Sequence, residues 1–311
     1  MVEIFLKTLP FFALIGLGFV AGRTRFFSEE ATAYLTKFVF YFALSAMLFR
    51  FSATLDVRDA FSWSFVFAYL WGTTLVYLIA TALGFLRGAK IEEIAVESQV
   101  AVIGNVGFLG IPMLVLLMGD AAIGPVMMVL AVDLIIFGSL IVILITGSRD
   151  GRMSLGILRT VGVGLVSNPM IVSISLGLIW AATGLPIPGP LNETVDILGS
   201  AATPGALFAI GASLATKAVS KIAVTSYLSF FKLVLHPLAV AYAALVMFEV
   251  EPYAAGVMIA ASALPVAGNV FILAQHYGVA PERVSASILM STAISVVTVS
   301  LVIGWVSGFA L

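Results

Sequence analysis

The stretch Ala101-Val-Ile-Gly-Asn-Val-Gly-Phe-Leu-Gly-Ile-Pro-Met113 lies inside a segment apolar enough to cross a membrane, yet it is poor material for an unbroken helix. Gly107 and Gly110 loosen the backbone, while Pro112 removes one N–H donor and clashes with the carbonyl four residues earlier. Freed backbone groups are tolerated at membrane depth only where protein buries them or where they line a watery cavity. Interrupted helices of this kind form the central sites of many secondary transporters. The alternative is a proline kink in a packed bundle, with Asn105 hydrogen-bonding between helices.

The composition predicts an integral membrane protein. Of the 311 residues, 61% are hydrophobic and 10% are charged, whereas soluble domains are roughly 45–50% apolar and about 25% charged. The net charge of −1 argues against a nucleic-acid partner. The chain has no cysteine, which excludes disulfides, iron–sulfur clusters and thiol chemistry. We expect no cofactor, with H⁺ or Na⁺ as the two coupling ions to consider.

An all-α fold with ten transmembrane helices follows if about 20 apolar residues make one crossing. The predicted spans, numbered 1 to 10, are 8–22, 32–50, 61–86, 94–117, 122–146, 162–183, 193–215, 222–247, 253–275 and 284–308.

The lysines and arginines predict the orientation, because basic residues concentrate in cytoplasmic loops. Only Lys7, Arg50 and Arg58 belong to the even-numbered loops and the termini, and Lys232 lies within span 8. The remaining basic residues lie in or beside the odd-numbered loops: Arg23, Arg25, Lys37, Arg87, Lys90, Arg149, Arg152, Arg159, Lys217, Lys221 and Arg283. We therefore expect a multi-pass protein of the cell membrane with both termini on the extracytoplasmic side.

The chain also repeats itself at a constant offset of 159 residues. The matched pairs are Pro10 and Pro169, Leu17-Gly18 and Leu176-Gly177, Leu48-Phe49 and Leu207-Phe208, Glu92 and Glu251, and Gly119 and Gly278. The offset maps spans 1–5 onto spans 6–10, so residues 1–159 and 160–311 form two five-helix repeats. Because five is odd, the second repeat is inverted in the membrane, as in many secondary transporters.

The repeat predicts a second broken helix in span 9. Residues 264–271, which match 105–112, read Leu-Pro-Val-Ala-Gly-Asn-Val-Phe, so Pro265, Gly268 and Asn269 supply the same ingredients in a different order. Two interrupted helices at corresponding places in two halves are a strong indication of a binding site.

Three asparagines are candidates for binding a substrate. Asn105 and Asn269 offer amide groups at the breaks, where half-helix N-termini add positive dipole ends, and together these suit a carboxylate. Hydrogen bonding between helices is the structural alternative. Asn168 precedes Pro169 at the start of span 6, where simple N-capping explains both residues equally well.

Charged residues within the spans are candidates for coupling. Asp133 lies near the middle of span 5, while Lys232 and His236, four apart, share one face of span 8. Buried ionisable residues in a membrane are costly and usually functional, which favours a proton or substrate relay. A structural pairing of Asp133 with Lys232 is the alternative. Glu97, near the cytoplasmic end of span 4, either lines a vestibule or belongs to a solvated helix end.

With these segments in view, the chain resembles the auxin efflux carrier family, which includes the plant PIN-formed carriers and prokaryotic malate and malonate permeases. Asn105 followed by Gly110-Ile111-Pro112 resembles the signature of the family's fourth helix. Asn168-Pro169 resembles the start of the sixth helix. Pro265, Phe271, Ala274, Tyr277 and Pro281 resemble the ninth-helix pattern. Ser45 replaces a frequent proline, and residues 147–161 form a short turn in place of the long loop of many plant members.

The resemblance implies ten helices in two inverted repeats, with broken fourth and ninth helices that cross. Helices 1, 2, 6 and 7 would form a scaffold domain and helices 3–5 and 8–10 a transport domain. It implies functional roles for Asn105, Asn168 and Pro265, a small organic anion as substrate, lipid as surroundings, and a homodimer through the scaffold. Together with Gly107, Pro112 and Asn269 at the two breaks, these residues are the expected substrate-binding positions.

The expected function is alternating-access transport of a mono- or dicarboxylate. An anion channel or a membrane sensor of the same fold is the alternative, although no repeated filter or signalling domain is present. An enzyme is not expected: neither histidine lies in a His-Glu-x-x-His motif, and Asp133 is the only intramembrane aspartate, whereas an aspartyl protease needs two.

Overall fold

The structure, a computed structural model, describes residues 2–55, 62–150, 155–216 and 221–310. Arg58, Arg152 and Lys217, on which the predicted orientation partly depends, lie outside these residues. The described chain is all-helical. Its helices are α1 (Val2–Arg23), α2 (Glu29–Ala53), α3 (Trp63–Leu86), α4 (Ile91–Val102), α5 (Val106–Met118), α6 (Asp120–Arg149), α7 (Leu155–Val166), α8 (Pro169–Ala182), α9 (Gly189–Leu214), α10 (Ile222–Met247), α11 (Pro252–Ser262), α12 (Gly268–Tyr277) and α13 (Pro281–Ala310).

Polar side chains and glycines set several of these helix ends. Ser28 begins α2 by accepting a hydrogen bond from the Ala31 N–H at 3.0 Å. Glu251 begins α11 in the same way, accepting from two backbone N–H groups. At the other ends, Gly119 follows α5 with φ 91° and Gly278 follows α12 with φ 65°, backbone conformations that favour glycine.

The protein is an all-helical, multi-span membrane protein. Among the described helices, seven are long and apolar enough to cross a membrane, namely α1, α2, α3, α6, α9, α10 and α13. Helices α7 and α8, bent by 69° at 167–168, make an eighth span if counted as one. The predicted spans 94–117 and 253–275 are each divided into two short helices, α4 and α5, and α11 and α12. Exposed apolar side chains such as Leu86 and Leu116 suit a lipid environment.

The two divided helices meet at their breaks. Residues 103–105 separate α4 from α5, and residues 263–267 separate α11 from α12. Gly104 and Val266 form an antiparallel β-bridge between the two interruptions. The breaks therefore lie side by side in the middle of the bundle, where both are buried.

Close glycine contacts hold part of the bundle together. A Cβ on Gly18 of α1 would lie 2.1 Å from the Phe208 carbonyl oxygen of α9, and a Cβ on Gly211 would lie 1.9 Å from that of Ile15. Helices α1 and α9 thus pack backbone against backbone, as small residues allow in membranes. Helix α8 packs on α2, whereas α3 packs on α4 and α10, and α11 on α13.

In the part of the chain that the structure describes, five π-helical turns occur within the helices. Those relevant to function are Val106–Gly110 at the start of α5, Asp133–Phe137 in α6 and Phe231–Leu235 in α10. Single π turns inside α-helices are frequent at functional sites. These three contain Gly107, Asp133 and Lys232, all of them among the site residues predicted from the sequence.

Candidate functional site

The backbone groups freed at the two breaks hydrogen-bond to each other. The N–H of Asn105 donates to the carbonyl of Pro265 at 2.8 Å, and the N–H of Ala267 donates to the carbonyl of Ile103 at 3.1 Å. This exchange satisfies polar groups that have no access to water or to their own helices. Pro265 thus takes part through its main chain, as the acceptor that fixes Asn105.

A small cavity adjoins the paired breaks. Its volume is about 20 Å³, enough for about one water molecule. The lining residues come from both breaks, the starts of α5 and α12, α6 and α8: Ile103, Gly104, Asn105, Gly107, Phe108, Leu130, Asp133, Leu134, Met170, Ala267, Gly268 and Asn269. We call this space the central cavity.

The N-termini of two half-helices border the central cavity. Asn105, Gly107 and Phe108 come from the start of α5, while Gly268 and Asn269 begin α12. The first N–H groups of a helix lack partners within that helix and carry the positive end of its dipole. The structure therefore brings two anion-attracting helix ends and two asparagine side chains to one cavity.

Two buried oxygen atoms at the central cavity have no hydrogen-bond partner within the described residues. These are Oδ1 of Asn269 and Oδ2 of Asp133. The other oxygen of Asp133, which is only 3% exposed, accepts a hydrogen bond from the Tyr69 hydroxyl at 2.8 Å. A buried polar atom without a partner is costly, so this cavity retains unused capacity to bind a polar ligand.

Lys232 and His236 lie behind the second break and do not line the central cavity. The Lys232 ammonium donates to the carbonyl of Ser262, the last residue of α11. Nδ1 of His236 lies 3.2 Å from that same oxygen and 3.1 Å from the lysine nitrogen, while Nε2 lies 3.0 Å from the Thr73 hydroxyl. A cation at a helix C-terminus is favourable, so Lys232 caps α11.

Asp133 and Lys232, both in described segments, form no direct ion pair. The structural pairing considered from the sequence is therefore not a direct contact, and each group binds other partners. Within the described residues, no group of three histidine, aspartate or glutamate side chains comes together that could hold a metal ion.

The structure places two other predicted residues away from the substrate position expected for them. Asn168 caps α8, its Oδ1 accepting the Met170 N–H at 2.9 Å, and it reaches the central cavity only through Met170, which lines it. Pro112 does not line the central cavity. It lines a second cavity further along α5, against α1, α2 and α9.

An ionic cluster beside α4 was not recognised from the sequence. Glu97 is 2% exposed, so a solvated helix end is wrong for this residue. Its carboxylate accepts hydrogen bonds from Arg87, from Arg283 at 2.5 Å and from the Tyr227 hydroxyl at 3.2 Å. Arg283 also binds Glu93 at 2.7 Å. The i, i+4 spacing of Glu93 and Glu97 was the available signal.

Comparison with known proteins places the chain in a family. The membrane transport protein family matches residues 3–303. A protein of Rhizobium meliloti (strain 1021) named "Putative malonate transporter" is 31% identical over 307 residues, covering 96% of this chain and 95% of the relative. The "Uncharacterized transporter YfdV" of Escherichia coli (strain K12) is 27% identical over 94% of both chains.

A plant relative extends the similarity to the carriers that the sequence motifs resemble. "Auxin efflux carrier component 8" of Arabidopsis thaliana is 23% identical over 350 aligned residues, covering 94% of both chains. These matches span nearly the whole chain, so they include both breaks. The chain therefore belongs to the membrane transport protein family, the family of the auxin efflux carriers, and is a multi-pass membrane transporter, not an enzyme.

Proposed function

We propose that this protein is a secondary transporter that carries a small organic anion by alternating access. The observation that carries the proposal is the convergence of two half-helix N-termini, each with an asparagine, on the central cavity. Dipole ends and unpaired N–H groups stabilise a carboxylate without a buried cation. A mono- or dicarboxylate is the ligand class that this arrangement suits.

Asn105 and Asn269 are proposed to hydrogen-bond the substrate from the two breaks. Gly107 lets the substrate approach the α5 backbone closely, since it has no side chain. Pro265 and Asn168 act indirectly: the first fixes the Asn105 backbone and the second fixes the start of α8. Pro112 is proposed to act at the second cavity.

Asp133 is proposed to couple transport to protons. It lines the same cavity as both asparagines, so its ionised form would repel a bound carboxylate. Binding of a proton to the unpartnered oxygen of Asp133 would remove that repulsion, and proton and anion would then travel together. Lys232 and His236 contribute by holding the end of α11, through the Ser262 carbonyl, in the position that this binding geometry needs.

The architecture proposed for this mechanism is ten membrane helices in two inverted repeats, residues 1–159 and 160–311. In support, Gly119 and Gly278, matched by the sequence offset, end α5 and α12 at equivalent places. Predicted spans 3–5 and 8–10 would move against the scaffold, which is formed by predicted spans 1, 2, 6 and 7. The central cavity holds about one water, so such a movement is required to admit a carboxylate.

The proposal extends to orientation and assembly. Both termini would face the extracytoplasmic side of the cell membrane, as the basic loops indicate. Because the chain has no cysteine, single-cysteine variants at Arg25 and Thr54 should react with an impermeant thiol reagent from opposite sides. A homodimer through the scaffold helices would be seen as a doubled protein mass in detergent.

Malonate is the first substrate to test, because the rhizobial relative is named for it. We would reconstitute the purified protein in liposomes on a solid-supported membrane and apply steps of malonate, malate, succinate, lactate and indole-3-acetate, with and without sodium and a pH step. A saturating current or radiolabel uptake for one anion, lost in Asn105→Ala and kept in Asn192→Ala, supports the carrier.

Asn192 is the matched control because it lies on α9, outside the lining of the central cavity. Flux that rises linearly without saturation would favour the channel instead. Equal transport by the wild type and Asn105→Ala would contradict the proposed site.

A further inference from the structure

The second cavity lies between two groups of helices. Its volume is about 360 Å³, large enough for a small carboxylate. It is lined by Phe11, Met47, Arg50, Phe51, Pro112, Val115, Leu116, Val195, Gly199, Ser200 and Thr203. These residues belong to α1, α2 and α9 on one side and to α5 on the other. We call it the Arg50 cavity.

Arg50 is the only charged residue among the described residues that line this cavity. The rest of the lining is apolar apart from two hydroxyl groups, those of Ser200 and Thr203. An arginine offers a planar, permanently charged fork that matches a carboxylate. Such a mixture of apolar walls and one cationic anchor is typical of a site for a small organic anion.

Asp196 occupies the anion position of Arg50 in this structure. The two side chains form an ion pair and are 39% and 48% exposed. Ion pairs this exposed contribute little to stability. A ligand carboxylate can therefore replace Asp196 at small cost, provided that it also gains contact with the apolar walls.

Helix α5 connects this cavity to the central one. Gly107 and Phe108 at its start line the central cavity, while Val115 and Leu116 line the Arg50 cavity. The eight steps from residue 107 to residue 115 rise about 12 Å along the helix. Arg50 is also one of the few basic residues outside the loops predicted to be cytoplasmic, so its charge is not explained by membrane orientation.

We propose that the Arg50 cavity is a second anion site, in which the carboxylate of a small organic anion displaces Asp196 from Arg50. The transported anion binds there at an intermediate site on its path across the membrane, next to the central cavity. The proposal rests on the proposed function in one respect: the anion is taken to be the transported one.

The test compares the two members of the ion pair. We would measure equilibrium binding of radiolabelled malonate to the purified full-length chain carrying Asn105→Ala, which weakens the central site and leaves the Arg50 cavity intact. Arg50→Gln should weaken the remaining binding at least about tenfold, because a charge-assisted hydrogen bond is lost. Asp196→Asn should strengthen it about two- to fivefold, because the competing carboxylate is removed.

Two further variants keep the result interpretable. Arg50→Lys retains the charge without the planar guanidinium, so its affinity for malonate should lie between that of the chain with Arg50 and that of Arg50→Gln. Arg159→Gln, at an exposed position on α7, removes the same charge elsewhere and should leave binding unchanged. All variants are compared as monodisperse protein by size-exclusion chromatography.

Opposite changes in malonate affinity for Arg50→Gln and Asp196→Asn distinguish an anion site from a structural ion pair. If Asp196→Asn weakens binding as Arg50→Gln does, or if neither changes it, the proposal is overturned. Failure of the proposed function gives a different result: liposomes that contain the wild-type protein take up no malonate. That result is independent of whether Arg50→Gln weakens malonate binding and Asp196→Asn strengthens it. If neither the Asn105→Ala chain nor its Asp196→Asn derivative binds malonate, the anion site is overturned.

Discussion

The two broken helices share one geometry, yet different groups hold their ends. At the second break, the C-terminal carbonyl of α11 is bound by Lys232 with His236 beside it. At the first break, the Ile103 carbonyl accepts a hydrogen bond from the backbone of the other break, and no side chain among the described residues binds it. The residues 159 positions before Lys232 and His236 are Thr73 and Tyr77, which carry no charge. The first half instead carries the acid, Asp133, whose counterpart is Thr292.

This difference indicates that the charged groups of the two halves have different roles, and we call this the division of work between the breaks. Lys232 fixes the end of the half-helix α11, while Asp133 lines the central cavity itself. A symmetric pair of breaks would bind an anion equally from both sides. In the proposed mechanism the asymmetric charges provide one rigid break and one proton-binding position, and the following substitutions test that interpretation.

Replacing Lys232 should have the largest effect. In Lys232→Met the buried Ser262 carbonyl loses its cationic donor, which should lower the free energy of unfolding by about 1–3 kcal/mol. The second break should then shift, and malonate uptake should fall at least about a hundredfold. Thermal unfolding in detergent and liposome uptake measure these changes.

The control for Lys232 is its counterpart, Thr73→Val. It loses a neutral hydrogen bond to His236, which is worth about 1 kcal/mol. Equal losses of stability in the two variants would contradict the division of work between the breaks.

Replacing Asn269 should separate binding from stability. Because its Oδ1 has no partner within the described residues, Asn269→Ala should change the free energy of unfolding by less than about 0.5 kcal/mol. The affinity for malonate should nevertheless fall about tenfold, since one substrate hydrogen bond of about 1.4 kcal/mol is lost. A large fall in melting temperature with unchanged uptake would show that Asn269 is structural.

Replacing Asp133 should change the pH dependence of transport more than its maximum rate. If the carboxyl must carry a proton when the anion binds, wild-type transport is favoured at low pH and declines as pH rises. Asp133→Asn is permanently neutral, so its malonate uptake should stay within about twofold across the same pH range. Uptake that declines with pH in both proteins would assign the proton to another group.

The smallest effects should come from one glycine in each break. A Cβ on Gly107 would lie 2.5 Å from the methyl carbon of Met170, a flexible side chain that can yield, whereas a Cβ on Gly268 meets nothing within 4 Å. Gly107→Ala should therefore lower uptake about two- to fivefold by narrowing the central cavity. Gly268→Ala should change it by less than about twofold. The reverse order would show that the α12 start lies closer to the substrate.

Much of the fold and part of the site could be predicted from the sequence. Glycine, proline and asparagine within apolar segments are unusual enough to locate both breaks, and the offset of 159 relates them. The sequence did not indicate which cavity Pro112 faces: it lies beyond the break and lines the second cavity. The sequence alone also left open the pairing of Asp133 and Lys232, which depends on which neighbours each side chain reaches.

Other contacts had weaker signals. Glu97 binds Arg87, which directly follows α3, and Arg283 of α13. The spacing of Glu93 and Glu97 indicates an acidic helix face but does not specify these distant partners. Tyr69 binds Asp133 from α3, and a single tyrosine in an apolar span carries no pattern. Thr73, in contrast, could have been found, because it occupies the repeat position of Lys232.

The π turn in α6 holds one residue that a regular α-helix would not need. A π turn contains one residue more than an α turn, so it winds the extra residue into about the same rotation, and the halves of α6 on either side stay nearly in phase. Deleting Ile135, which is exposed and does not line the central cavity, would let the turn close as an ordinary α turn and should leave the half carrying Arg149 nearly in its present orientation. Deleting a residue from a regular α turn between Asp133 and Arg149 would instead rotate that half by about 100° relative to Asp133. Helix α6 can therefore lose a residue at the π turn, but not elsewhere in this stretch, and keep the orientation of Asp133 relative to the ion pair of Arg149 with Glu92.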